Sequence, residues 1–403
     1  MEVGETEARP LHGLKVLELG SNVSAPYAAL QLAEYGADVI KIEPPEGDAT
    51  RRMGPTDEPG MSPLFLGMNR GKKSVVLNLK TPAGRAALDA LLADADVFIH
   101  NVRPHKLKRL GLGPDSLCAV HPRLVYAGIH GFHETGPYGR APAYDDIIQG
   151  LSGMASLAQR QGGDPRYVPA AVADKTTANI AVQAILAALY ARQRSGRGAY
   201  VEVPMFETTV SYVLAEHMHA HHFLPTRGAA GYTRLLSGNR KPFQTADGHL
   251  CLMPATDAHW RRFFEATGQA GLADDPRFVS LGARTQHIEA LYEIVEHTIR
   301  RKTTDEWLSL LQQIDVPAAR MNQLEDLPRD PHLAATGHFV TVHDAGLGTL
   351  RFPRSGVRFD GRPSVAGLAP RLGEHTRQAL RAAGMPQAEL DALLASEAAR
   401  EGG

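Results

Sequence analysis

Residues 14–43 read Leu14-Lys-Val-Leu-Glu-Leu-Gly-Ser-Asn-Val-Ser-Ala-Pro-Tyr-Ala-Ala-Leu-Gln-Leu-Ala-Glu-Tyr-Gly-Ala-Asp-Val-Ile-Lys-Ile-Glu43. The run Leu14–Leu19, opening after the turn at Gly13, predicts a strand. Ser21–Tyr35 predicts a helix, with Pro26 near its first turn, where the missing N–H costs nothing. Gly36-Ala-Asp breaks that pattern, and Val39–Glu43 predicts a second strand. The same alternation recurs. Ser74–Leu79 reads as a strand, Pro82–Ala93 as a helix, and Asp96–His100 and Leu124–Ile129 as further strands. Strands alternating with helices predict an α/β fold with a doubly wound, mostly parallel, Rossmann-like sheet. Ligands on such sheets bind at the carboxyl ends of the strands.

After an expected helix near Val210–His222 the texture changes. Pro225-Thr-Arg-Gly-Ala-Ala-Gly reads as a linker. Lys241–Met253 reads as strand, Asp-Gly turn, strand, and helices follow around Trp260 and over Ile288–Arg300. The expected organisation is a large domain beginning at 1–225, a smaller α+β domain at 226–325, and a segment 326–403 that returns to the large domain.

Composition narrows the partners. The 403 residues carry a formal net charge of −1, which gives no electrostatic basis for binding nucleic acid or an anionic membrane surface. The acidic start, Met1-Glu-Val-Gly-Glu-Thr-Glu, is unlike a secretory or transit peptide. The most apolar stretch, Ile180–Ala191, is too short to span a bilayer and reads as a buried helix. Cys118 and Cys251 are far apart, so neither a disulfide framework nor a thiolate zinc site is implied. A cytoplasmic protein is expected.

A dinucleotide site is the first functional reading to weigh, because Glu43 ends the second strand about 20 positions beyond the first turn. That turn is Gly20-Ser-Asn-Val-Ser-Ala-Pro, and it lacks two of the three glycines that let a pyrophosphate approach the backbone. An ordinary β-α-β unit is the stronger reading. A different feature carries more chemistry. Asp174 is a lone carboxylate at the start of the long apolar run Ala-Asp-Lys-Thr-Thr-Ala-Asn-Ile-Ala-Val-Gln, which stops at Arg194-Ser-Gly-Arg-Gly. A helix N-terminus favours the anion. The residue is either an N-cap or a nucleophile.

Several motifs then converge. They are L-x-G-L-K-V-L-E-L from Leu11, A-P-Y-A-A-L-Q-L-A-E-Y-G-A-D-V-I-K-I-E-P-P-E-G-D from Ala25, and N-R-G-K-K-S-V-V-L-N-L-K-T-P-A-G from Asn69. A-D-V-F-I-H-N-V-R-P, G-P-Y-G-R-A-P-A-Y-D, A-D-K-T-T-A, A-I-L-A-A-L, S-G-R-G and G-E-H-T follow in order. In this order and spacing the chain resembles the family III CoA-transferases, the group of formyl-CoA:oxalate and carnitine CoA-transferases, from about Leu11 to the C-terminus. The resemblance implies an interlocked homodimer and makes Asp174 the catalytic aspartate. It also implies CoA contacts at Leu77, Asn101, Arg109 and Met205, with Arg51 a weaker candidate. The chain departs from the family's pattern in three places. Ala178 stands where a glycine is often seen, Val23 where the formyl-CoA enzyme has glutamine, and Gly238 alone marks the site of a glycine-rich loop.

The expected chemistry is transfer of CoA between an acyl-CoA thioester and a free carboxylic acid through an aspartyl mixed anhydride, with no metal and no organic cofactor. Arg103, Lys106 and Lys108 read as a solvated basic helix face. Tyr144-Asp145 stand where related α-methylacyl-CoA racemases carry His-Asp. A tyrosine, with a pKa near 10, is a poor base at neutral pH, so the pair is expected to shape the substrate pocket together with Val23 and Gly238. A racemase-like enzyme and a catalytically silent CoA-binding protein are the alternatives. His217 and His221 share a face if their stretch is helical, but no third ligand with zinc spacing accompanies them. His130 and His133 lie at an expected strand end.

Overall fold

The computed structural model describes residues 9–364 and 367–402. The acidic start Met1–Glu7 lies outside the described residues. The described chain forms two compact units. The first holds the chain up to Ser152, Val168–Val210 and the chain from Pro331 onward; the second holds Gly153–Tyr167 and Ser211–Asp330. The sequence-based boundary near 226 therefore falls after the second unit has begun. The short helix Met154–Arg160, which the sequence reading left in the large domain, also belongs to the second unit.

In the first unit the elements run β1 (Lys15–Leu19), α1 (Ser24–Glu34), β2 (Asp38–Glu43), β3 (Lys73–Leu77), α2 (Pro82–Leu92), β4 (Val97–His100), α3 (Pro104–Arg109), β5 (Val125–His130), α4 (Asp145–Leu151), α5 (Val172–Ser195), β6 (Tyr200–Pro204) and α6 (Met205–His217). The last of these runs on into the second unit. The six strands pair in parallel in the order β3-β2-β1-β4-β5-β6, and Ala399–Arg400 adds an antiparallel edge beside β3. This is the doubly wound order. Its direction of winding reverses between β1 and β4, whose registers run from Val16↔Val97 to Leu19↔His100.

Alternation along the strands explains why both faces are covered. Val16, Val97, Ile99, Val125 and Ala127 point to one side and pack under α1 and α5, against Ala25, Ala28, Ala29, Ala178 and Ala181. The small side chains let the two helices lie close together and close to the sheet. Leu17, Phe98 and Tyr126 point to the other side, under Leu88, Leu91 and Leu107 of α2 and α3 and Leu380 and Leu390 of the C-terminal helices. Each of these valines, leucines, isoleucines and the phenylalanine stabilises the fold by about 1.5–3 kcal/mol when fully buried. The entry to β6 depends on Gly198, where a Cβ would come within 1.9 Å of the Leu124 carbonyl oxygen.

Beneath the carboxyl ends of β1 and β2 lies a buried ionic network. Lys41 Nζ meets Glu18 Oε1 and Asp48 Oδ2 at 2.8 Å each, and Lys72 Nζ meets Glu18 Oε2 at 2.7 Å. Two cations and two anions balance, so no uncompensated charge is buried. Glu43 is buried in a bidentate pair with Arg51 at 2.8 and 2.7 Å and also accepts the Ser74 hydroxyl. A carboxylate engaged in this way is not free to bind a ribose, which is the physical reason the dinucleotide reading fails.

The second unit is α+β. An antiparallel three-stranded sheet (Phe243–Gln244, His249–Leu252, Ala318–Arg320) packs with helices around Trp260, Phe263, Phe264, Leu291, Val295 and Trp307. The expected histidine helix ends at His217. His219 takes a left-handed φ of 45°, and His219–His222 form a separate 3-10 turn, so His217 and His221 do not share a helix face. His217 instead accepts the Tyr232 N–H. Among the described residues no group of three or more His, Cys, Asp or Glu side chains is arranged to hold a metal, and no helix is long and apolar enough to cross a membrane.

Candidate active site

Two clefts open at the carboxyl ends of the strands, where the sheet's order reverses. One, of about 1060 Å³, is apolar and walled by Leu19, Ile42, Leu77, Leu79, Leu107 and Leu110. The other, of about 1110 Å³, is polar and contains Asp174, Asn101, Arg103, Lys106, His130 and Tyr144. Both volumes include their open mouths. Ser21 and Val102 line both clefts, which therefore adjoin.

Asp174 occupies the first turn of α5. Ala171, not Asp174, is the N-cap of that helix, and it provides no side-chain bond. The backbone N–H of Asp174 is satisfied from a different helix, by Asp145 Oδ1 at 3.0 Å. The carboxylate is thus spared the capping role that the sequence left open. It is half-buried, and its charge faces a second carboxylate rather than a cation. Burial, then repulsion from Asp145, pushes its pKa up to about 6, opposed by a hydrogen bond from Ser24. It is still mostly ionised at neutral pH, but by a narrower margin than its place at a helix N-terminus alone suggests.

Most of the expected site residues lie around the two clefts. Asn101, Tyr144 and Met205 line the polar cleft, and Asp145 lies behind Asp174. Leu77 forms part of the apolar one. Val23 is the N-cap of α1, between the lining residues Asn22 and Ser24. Arg51 lines neither cleft. It is 2% exposed, pairs with Glu43, stacks 3.7 Å from the Phe65 ring centroid and donates to the Gly60 and Pro370 carbonyls. Arg109 is exposed at the end of α3, outside both linings. Arg103 and Lys106, expected on a solvated face, both line the polar cleft, Lys106 while exposed and Arg103 partly buried; Lys108 is exposed and pairs with Glu134 at 2.6 Å. Gly238 belongs to the second unit, where a Cβ would come within 2.6 Å of the Gln161 carbonyl oxygen.

Sequence reasoning missed Ser24. The sequence pattern predicts uninterrupted helix from Ser21, whereas Asn22 has a left-handed φ of 62° and α1 begins only at Ser24. An asparagine is among the few side chains that tolerate this conformation, and that was the available signal.

The profile of CoA-transferase family III matches residues 11–376. The succinate–glutarate CoA-transferase of Agrobacterium fabrum is 35% identical over 393 residues, covering 92% of this chain and 95% of its own. The succinyl-CoA–D-citramalate CoA-transferase of Chloroflexus aurantiacus is 32% identical, covering 92% and 93%. A mutant of Rv3272 from Mycobacterium tuberculosis has a crystal structure that superposes with a TM-score of 0.80 at 30% identity, covering 92% of this chain and 98% of that one. The chain belongs to CoA-transferase family III and is a CoA-transferase.

Proposed function

We propose that the protein moves CoA between an acyl-CoA and a free carboxylic acid by covalent catalysis at Asp174. The observation that carries this reading is a half-buried carboxylate facing a cleft at the sheet's switch point and released from helix capping by Asp145. An Asp174 oxygen attacks the acyl carbonyl carbon, the C–S bond breaks, and CoA leaves as its thiolate, giving a mixed anhydride. The thiolate attacks the aspartyl carbonyl, the anhydride C–O bond breaks, and the first acid departs as a carboxylate. The acceptor carboxylate then attacks the aspartyl thioester and its C–S bond breaks, releasing the thiolate; the thiolate attacks the resulting anhydride at the acceptor's carbonyl and the C–O bond to Asp174 breaks. New acyl-CoA leaves and the Asp174 carboxylate is regenerated. No proton is gained or lost, and the steps use no metal and no redox cofactor. The N-terminus of α1, which has no side-chain cap, offers backbone N–H groups to the oxyanions.

The adjoining clefts support a division of labour. The apolar one, with Leu77, takes the adenine end of CoA, and the polar one, with Asn101 and Met205, takes the thioester. Arg109, exposed on α3 between the lining residues Leu107 and Leu110 in sequence, is the candidate contact for phosphate oxygens. Arg103 and Lys106 put positive charge in the polar cleft, which suits a substrate with a second carboxylate. The relatives named for succinyl-CoA, succinate and glutarate agree with that preference. Tyr144 forms part of the wall, Asp145 backs Asp174, and Val23 lies between the lining residues Asn22 and Ser24; Gly238 is a lid candidate on resemblance alone. The racemase alternative needs an imidazole opposite Asp174. His130 lines the cleft, but its Nε2 is buried and its Nδ1 faces Glu202 at 3.5 Å.

A second copy of the chain is part of the proposal. Ile147 and Leu151 of α4 and Ile180 and Tyr190 of α5 are exposed, as a surface covered by another protomer would be. Cytoplasmic location rests on two unpaired cysteines, Cys118 and Cys251. The test is turnover with succinyl-CoA and a panel of acids, read as new CoA thioesters by mass spectrometry. Formation of new thioesters that is lost in Asp174→Ala supports the reading. Near-normal transfer by that variant overturns it.

A further inference from the structure

The segment Gly20–Ser24 is held on both sides. Lys41 Nζ donates to the Gly20 carbonyl at 2.8 Å, and Asp48 Oδ1 accepts the Asn22 N–H at 3.3 Å, both from the buried ionic network. From β4's end, Asn101 grips Ser21: its Oδ1 accepts the Ser21 N–H at 3.1 Å and its Nδ2 donates to the Ser21 carbonyl at 2.7 Å. A backbone N–H can only donate and a backbone carbonyl can only accept. The side-chain amide of Asn101 therefore has one possible orientation, fixed without reference to anything else in the cleft.

That orientation has a consequence one residue pair further on. Asn101 Nδ2 also lies 3.1 Å from Ser24 Oγ, and it must be the donor there. Ser24 is 2% exposed, so solvent does not compete for its hydroxyl. With one lone pair taken by Asn101, the Ser24 hydroxyl keeps its proton to donate, and the Asp174 carboxylate, which lines the same cleft, is an acceptor whose pKa Ser24 lowers.

We propose that Asn101, Ser24 and Asp174 form a one-way donor relay in which Ser24 is a positioning residue for the nucleophile. Ser24 holds one carboxylate oxygen, leaves the other free for attack, and favours the anion. The remaining groups around Asp174 make this assistance matter. Asp145 on α4 opposes the anion. Arg103 at the N-cap of α3, Lys106 on α3, His130 on β5 and Tyr144 before α4 line the same cleft, Lys175 follows Asp174 on α5, and none of them forms a salt bridge with the carboxylate. Ser24 is thus the side-chain donor that stabilises the charge. A hydrogen bond to a charged group is strong enough that losing it raises a carboxyl pKa by about one unit or more.

This inference rests on the nucleophile reading of Asp174, and the experiment separates the two. In the full-length enzyme, Ser24→Ala and Ser24→Thr are compared with the parent. The Asp174 carboxyl is titrated by infrared difference spectroscopy against Asp174→Asn, and kcat/KM is followed with pH. Melting curves accompany each variant to verify folding. The relay predicts that Ser24→Ala raises the Asp174 titration point by about one unit, moves the acid limb of kcat/KM with it, and lowers kcat about tenfold even at high pH, where the carboxylate is ionised but no longer oriented. Ser24→Thr restores both readouts. An unmoved titration point in Ser24→Ala overturns the relay. A moved titration point together with undiminished turnover in Asp174→Asn upholds the relay and overturns the nucleophile reading instead.

Discussion

Asp174→Asn is expected to stabilise the protein while abolishing transfer. The folded protein raises this carboxyl from its ordinary 3.8 to about 6, chiefly by burial and by the Asp145 charge. A group whose pKa is raised on folding binds its proton more tightly in the native state. Its favourable contribution is complete below about pH 4 and is lost as pH rises through about 6. A shift of about two units corresponds to about 3 kcal/mol, and partial exposure to the cleft reduces that to roughly 1–3 kcal/mol. Asparagine keeps an acceptor for Ser24 and leaves the backbone bond to Asp145 in place, so it removes little but the charge. The variant and the parent should therefore melt alike near pH 4. The variant should gain a few degrees in Tm between pH 4 and pH 7, with a constant difference above that. Differential scanning calorimetry across this range, with turnover measured on the same samples, is the assay. A variant that is less stable than the parent at pH 8, or a difference that does not grow from pH 4 to pH 7, would refute the reasoning.

Three further outcomes follow from the same geometry. Asp145→Asn keeps an acceptor for the Asp174 N–H but removes the repelling charge, so the acid limb of kcat/KM should move to lower pH; a rightward shift would contradict the assigned electrostatics. Asp48→Asn leaves Lys41 with one buried anionic partner fewer and should cost about 3–5 kcal/mol in urea unfolding, because the desolvated ammonium loses compensation. Leu77→Arg places a charge in the apolar cleft and should raise KM for acyl-CoA at least tenfold with a small change in kcat, measured by initial rates at saturating acid; an unchanged KM would remove that cleft from the CoA site.

The doubly wound sheet was legible because each strand carries its own apolar run and each helix its own stops. Lys15–Leu19, Pro82–Leu92 and the end of α5 at Gly196 fall within a residue or so of expectation. Asp174 was legible as a candidate because a lone carboxylate at the head of an apolar helix is conspicuous. Its freedom from capping was not, since the partner that replaces the cap, Asp145, is 29 positions away in sequence and arrives from another helix. The roles of arginines were the least readable. Arg51 and Arg103 look alike in sequence, yet one is consumed by Glu43 in the interior and the other lines the cleft. Which partner an arginine meets is decided by tertiary packing. Ser24 was hidden for a related reason: its significance depends on Asn101 being oriented by the backbone of Ser21.

The most direct measurement is mass spectrometry of the active-site peptide after incubation with acyl-CoA alone and quenching with hydroxylamine. The account predicts a hydroxamate on Asp174 that forms within one turnover and is absent when acyl-CoA is omitted. Product accumulating in full while Asp174 remains unmodified would contradict it.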